Sequence, residues 1–316
     1  MNNTKLMLKI FSEINKHVNG KKWECIIDGC NESAINSHLL QKNGILNNVV
    51  ENGHIIEMKM EDYFKWKPNK APIRFVSKGV NDAFSLKLFC NNHDTRLFKD
   101  VENHPLDLKN YRNQLLLSYR VICAEIRKKE IGIEYNIRIL NSRTLFGIID
   151  KQSIELFVKG SKIGIEDLMH YKSLIEQELE KPNSQFLFEV YKYPLIQVFC
   201  AASFSISPEK QNQQPWKTVF IHGIPYDSNF YIIVGYHKDY VSDWILKYVQ
   251  DWANLNEAKL EEKLTNLFAT RVENWGISPN LFRTISKEKI DIFINFFQKN
   301  TMSYDENLKL DLNLFR

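Results

Sequence analysis

The chain has no apolar run near the roughly 18 residues that a membrane-spanning helix requires, so a helical membrane protein is not expected. Its opening stretch, MNNTKLMLKIFSEINKH, is interrupted by Lys5, Lys9 and Glu13 and does not read as a secretory signal. Its twelve glycines are scattered singly, so no Walker loop and no dinucleotide-binding glycine motif exists. A Gly-x-Ser-x-Gly nucleophile elbow is missing too. There is no internal repeat and no low-complexity linker. The formal charge of +4 is too small to announce a nucleic-acid partner by itself, since that requires a cluster rather than a total. Cysteine is scarce, at five residues. Without an export signal the expected compartment is the reducing cytoplasm, where clustered cysteines more often hold metal than form disulfides.

What is present is a chain of 316 residues, 44% apolar and 25% charged, long enough to bury a core without staples. The first segment predicts an amphipathic helix with Leu6, Ile10, Phe11, Ile14 and Val18 on one face and Gly20 as its stop. GHIIEMKMEDYFKW alternates like a strand, and IRFVSKGVNDAFSLKLFC reads as a hairpin turning near Gly79–Asp82. After His104-Pro105 a helical stripe runs from Leu108 to about Lys129, and a second helix is expected over Ile165–Leu179. Residues 186–237 are strand-like, rich in aromatic and β-branched side chains. Helices are expected again over Val241–Trp252, Glu257–Arg271 and Lys287–Lys299. This predicts a loop-rich module over 1–104 and a larger mixed α+β domain over 105–316, holding the strands and the C-terminal helices.

Three of the five cysteines lie in two short stretches, CIIDGCNESAINSH (Cys25–His38) and CNNHD (Cys90–Asp94). Four residues separate Cys25 from Cys30, and two separate Cys90 from His93. Two short knuckles on either side of a long insertion are how a tetrahedral zinc site is assembled. Gly29 can take the positive φ of the tight turn. The expected ligands are Cys25, Cys30, Cys90 and His93. His38 is a fifth candidate for four places, and either histidine can complete the set; His93 is preferred because it shares a knuckle with Cys90. That leaves His38 beside the metal, where a free imidazole suits a general base. Cys123, on an apolar helix face, and Cys200, within a strand-like run, read as small core residues.

The order of these residues resembles the HNH, or His-Me finger, nucleases that carry a structural zinc. The whole pattern, C-x4-C, AINSHLLQKNGIL, FC-NN-HD, also looks like a group of bacterial proteins with the same knuckles and Ser-His-x-x-Gln-Lys segment. The likeness covers about the first third of the chain. It implies a treble-clef or ββα-metal-like module packed on the larger domain, in which zinc only holds the fold. It implies His38 as the base that activates water and Asp94 as the holder of a Mg²⁺ or Mn²⁺ ion on the scissile phosphate. Ser37 stands where many members place a metal-binding Asp. The implied activity is cutting of nucleic acid, DNA ahead of RNA, in bacterial defence against phage.

The chemistry needs an activated water and a cation to neutralise developing charge, and both roles have a candidate. Lys42, Lys65, Lys67, Lys70, Arg74 and Arg96 can collect on one side of the module. The rival expectation is a catalytically silent zinc module in a binding or sensor subunit that works with a separate effector. In it His38 is structural and Asp94 caps a helix. In the nuclease reading residues 105–316 would select the target, hold a protein partner or a second copy of the chain in a homo-oligomer, or regulate cutting. Asn36, Asn43, Asn91 and Asn92 crowd the region and more often serve turns. A second site at His222, Asp227 and His237 is set against exposed strand-end residues. Trp216, Trp244, Trp252 and Trp275 are base-stacking candidates, more simply core. The cations of Arg127–Glu130 suit a helix end.

Overall fold

The computed structural model describes residues 3–60, 73–102, 105–206, 214–300, 303 and 305–316. The predicted first helix is α1 (Asn3–Asn19). Its apolar stripe packs against helix α4 (Tyr111–Leu140): Ile14 and Val18 share a small cluster with Ile139 and Leu145. The Gly20 amide closes α1 on Lys16 O at 3.0 Å.

Helix α4 is capped by Asn110, whose side chain accepts from the Asn113 amide. Its antiparallel neighbour α5 (Lys151–Glu180) is capped by Asp150 in the same way, on Ser153. Both helices overrun their expected limits. Arg127–Glu130 therefore lies inside α4, not at its end, and Arg127 is buried with its guanidinium donating to Glu24 O. The pair lies on a sheet built from β2 (His54–Met60), β3 (Ile73–Gly79), β5 (Phe186–Pro194), β6 (Val198–Ser205), β7 (Thr218–Tyr226), β8 (Asn229–His237) and β9 (Trp275–Ile277). The strand order is β3-β2-β9-β6-β7-β8-β5, with every neighbour antiparallel. The chain is thus mixed α+β.

Alternation along the strands sends side chains to two cores. Phe199, Ala201, Phe220 and Ile233 face α4 and α5 on the front. Val198, Cys200, Ala202, Ile221, Ile232 and Val234 face the back. There they meet α6 (Asp243–Gln250), α7 (Glu257–Thr270) and α9 (Lys287–Asn300) through Ile245, Val249, Leu264, Phe268 and Phe293. A short α8 (Pro279–Thr284) precedes α9. These three longer helices match the expected C-terminal ones within a few residues.

Strands from both sides of residue 105 share one sheet: β2 pairs with β9 through Ile56↔Ile277 and Glu57↔Gly276. Cys25, Leu40 and Phe89 belong to the same front core as Phe220 and Ile233. The expected hairpin over 73–90 is corrected. Its turn exists, closed by Asp82 N→Gly79 O and Ala83 N→Gly79 O, both 3.0 Å. The strands that flank it part company, however. β3 pairs with β2, while β4 (Ser85–Lys87) pairs with β1 (Asn36–His38) in a separate two-stranded ribbon. Within the strand expected over 53–66, residues 61–66 lie outside the described ones, as do Lys65, Lys67 and Lys70.

Candidate metal centre

The first knuckle is held by backbone before any metal is considered. Cys25 N donates to Glu32 O at 2.8 Å, and Cys30 N to Ile27 O at 3.1 Å. Gly29 takes φ +76°, as the turn between the cysteines requires. Ile26 N→Leu88 O (2.9 Å) and Ile35 N→Phe89 O (2.7 Å) then lace this loop to the segment leading into the second knuckle. There Cys90 is the N-cap of α2 (Asn91–Leu97), its sulfur accepting from the His93 amide. One helical turn thus aims Cys90 Sγ and the His93 ring at the same point.

The four side chains converge, with ligand atoms all within 4.8 Å of one another. His93 Nδ1 lies 3.4 Å from Cys25 Sγ and 3.3 Å from Cys90 Sγ, and Cys30 Sγ lies 3.9 Å from Cys90 Sγ. A tetrahedron with Zn–S of ~2.3 Å and Zn–N of ~2.0 Å has S···S edges of ~3.8 Å and S···N edges of ~3.5 Å. These three separations lie close to such edges, and the remaining ones stay within 4.8 Å. Cys25 and Cys90 are buried, Cys30 and His93 half-buried. Burial, with the neighbouring acid and thiols adding to it, pushes the Cys90 thiol up to about 12. Sulfurs gathered this way become thiolates when a cation neutralises them. The set fits a metal ion, and among the described residues it is the sole such group.

His38 is not part of it. It ends β1, half-buried, with Nε2 at 2.9 Å from Val80 O. A carbonyl only accepts, so in the neutral ring Nε2 carries the proton and Nδ1 offers a lone pair. Ser37 beside it is wholly buried, its hydroxyl accepting from Phe89 N at 3.4 Å.

Asp94 follows His93 in the first turn of α2 but does not cap it, since Cys90 does. Asp94 Oδ1 faces Arg120 at 3.9 Å and has no hydrogen-bond partner among the described residues. Arg120 is 1% exposed, pairs with Glu102 at 2.8 Å and sits over the Phe98 ring at 3.9 Å.

No family model, curated protein or solved structure matches the chain. What the site can do is therefore read from its own atoms.

The remaining candidates separate cleanly. Cys123 and Cys200 are core residues, buried in the front and back clusters. His222 sits in the middle of β7, fully buried, and His237 is buried at the far end of β8 from Asp227, so the three form no site. The alternative of exposed strand-end residues fits Asp227, exposed in the turn between β7 and β8, but not the buried His237 or His222, which points at α4, 3.5 Å from Ser118 Oγ. Trp252 and Trp275 are buried in the back core. Trp244 is half-buried and stacks on Tyr248 at 4.8 Å. Among the described residues no helix is long and apolar enough to cross a membrane.

One contributor to the site was invisible in the sequence. Lys172, 1% exposed on α5, reaches Asp28 in the first knuckle at 3.2 Å and Glu176 at 2.8 Å. No short-range pattern links positions 144 residues apart.

Proposed function

We propose that residues 25–97 form a treble-clef-type module around one structural zinc ion, and that the chain is an HNH-like endonuclease acting on nucleic acid. Zinc suits the donor set of three sulfurs and one imidazole, and a closed four-ligand shell leaves it no open position for chemistry. The observation that carries the catalytic reading is the His38 Nε2 contact with Val80 O. It fixes the ring and leaves Nδ1 as an acceptor on the ribbon that leads into the metal-bearing helix. His38 would take the proton of an attacking water, and Asp94 would help hold a hard divalent ion. When bound, a Mg²⁺- or Mn²⁺-type ion supplies positive charge against the phosphate, with water and substrate completing its shell.

The test is incubation of purified protein with plasmid DNA and with RNA in Mg²⁺ or Mn²⁺. Cutting is expected, and His38→Ala should abolish it while the zinc content stays at one per chain. Loss of zinc in that variant, or no cutting by the parent chain, sinks the reading.

A second reading has its own observation. The Asp94 carboxylate is turned toward the buried Arg120. In that reading the module is catalytically silent, Asp94 anchors α2 to α4, and the chain binds or senses nucleic acid or a protein partner for a separate effector.

A further inference from the structure

The outer end of the β2–β3 hairpin carries a feature that neither the metal centre nor the cores use. On β2, Ile56 and Met58 face the back core, where Phe75 of β3 meets Trp275, Phe282 and Phe293. The alternate positions face forward. Ile55 and Glu57 are buried, and beyond them on this face Lys59 and Arg74 are exposed among the described residues. Glu57, Lys59, Arg74 and Lys78 share this forward face, because Lys59 pairs directly with Arg74, and Lys78 with Ile55.

Lys59 and Arg74 are like charges at directly opposed positions, where Cβ atoms stand roughly 5 Å apart and repulsion is destabilising. Lys59 is 41% exposed and Arg74 is exposed. The nearby carboxylate is Glu57, which lies 3.5 Å from Lys59 and 3.9 Å from Lys78 and is also engaged by the Phe84 amide. Arg74 has no ion pair among the described residues. Burial, with Lys59 beside it, pulls Lys78 down to about 8, against the pull of Glu57 and Asp82. Protecting a sheet edge accounts for charge on β3, the outermost strand. It does not account for Lys59, which is on the inner strand opposite Arg74 and shares its partner Glu57 with Lys78.

The row also has a direction. Lys78 lies two residues before Val80, whose carbonyl holds His38, and the Lys59–Arg74 pair lies four residues farther out. At ~3.4 Å per residue the cations therefore extend ~14 Å from Lys78 along one extended segment. Lys42, hydrogen-bonded to Asn81 at 3.1 Å, adds a cation at the inner end.

We propose that Lys59, Arg74 and Lys78 form a track for the phosphodiester backbone of a nucleic acid, leading it toward His38. This deepens the nuclease reading and rests on it only for the direction of the track. Each phosphate contact releases counterions, so the track has a signature that edge protection lacks, namely the salt dependence of binding.

The experiment uses the full chain carrying His38→Ala, so that the probe survives. Labelled duplex DNA and duplex RNA of one sequence, each about 20 base pairs, are titrated by fluorescence anisotropy from about 50 to 300 mM salt. Adding Lys59→Gln and Arg74→Gln is expected to weaken binding about tenfold at the lowest salt and to flatten the log–log salt slope by about 2. Lys59→Arg should keep the slope. Lys287→Gln with Lys299→Gln, exposed on α9 at the back, should leave it unchanged. Whichever duplex binds with the steeper slope identifies the strand chemistry. Both substituted residues are exposed, and retained zinc and circular dichroism show that the fold survives. No binding, an unchanged slope, or an equal loss in the α9 variant overturns the track. If the parent chain cuts but the slope is unchanged, the track falls and the nuclease stands. If the slope flattens but the parent chain never cuts, the track stands and the nuclease falls.

Discussion

The ammonium of Lys172 lies 3.2 Å from the carboxylate of Asp28, and the two partners differ sharply in burial: 1% against 74% of the side chain exposed. A helix far along the chain thus reaches the turn between the first two metal ligands. The contact predicts unequal costs. Lys172→Ala should destabilise the protein by about 3 kcal/mol in urea titrations, because Glu176, which also accepts from the Tyr119 hydroxyl, loses its buried cation. Asp28→Ala should cost less than about 1 kcal/mol, since its carboxylate is mostly in water. Equal costs would mean that the pair acts through the exposed partner.

Metal content tests the site directly. One zinc per chain is expected by elemental analysis, and a strong chelator should lower the urea midpoint, because binding and folding of the knuckles are linked. Cys90→Ser and His93→Ala should lose the metal. Cys123→Ala, Cys200→Ala and His38→Ala should keep it. Loss from the His38 variant would return that residue to the ligand set.

Acid should weaken the fold through His222. Burial pulls its folded value from 6.5 to about 3, so the folded protein holds a neutral ring while the unfolded chain takes up a proton below about 6.5. Its contribution is therefore complete above that value and is lost as pH falls toward 3, by roughly a kcal/mol per pH unit. His237, also lowered by burial, acts in the same direction. Urea titrations at pH 7 and pH 5 should show His222→Leu losing less stability on acidification than the parent chain. A parallel loss would assign the acid sensitivity to other groups, the metal ligands among them.

Gly276 is a packing requirement. A Cβ there would fall 2.2 Å from the Phe199 ring and 3.0 Å from Ile56 O. Gly276→Ala should cost about 2 kcal/mol or more, by urea titration, because β9 must yield between β2 and β6. A neutral outcome would show that Phe199 can swing aside.

Cys25, Cys30, Cys90 and His93 were legible because a metal site needs its ligands in short knuckles, and that spacing survives in the sequence. The choice between His38 and His93 was not decided by residue type. The geometry places His93 with the cysteines, since the α2 turn brings it onto Cys90 Sγ, while Nε2 of His38 is turned to Val80 O. The long helices are legible only where their stripes are continuous: past Lys129, α4 is mainly half-buried. The strand β9 was missed because three residues, Trp275–Ile277, carry no period. The pairing of β2 with β9 joins segments some 220 residues apart, which no local pattern encodes. The false hairpin over 73–90 had the right turn but the wrong partners, since partners are chosen by the whole sheet.

The bridge between β2 and β9 also governs how the polypeptide can be divided. Cutting the chain near residue 105 would strip the two outer strands, β3 and β2, from a continuous hydrogen-bonded surface, leaving raw borders on both fragments. Neither piece should behave well alone, and mixing them should restore a soluble species by mutual complementation. Proteolytic nicking there should likewise yield halves that travel together until denaturant is added.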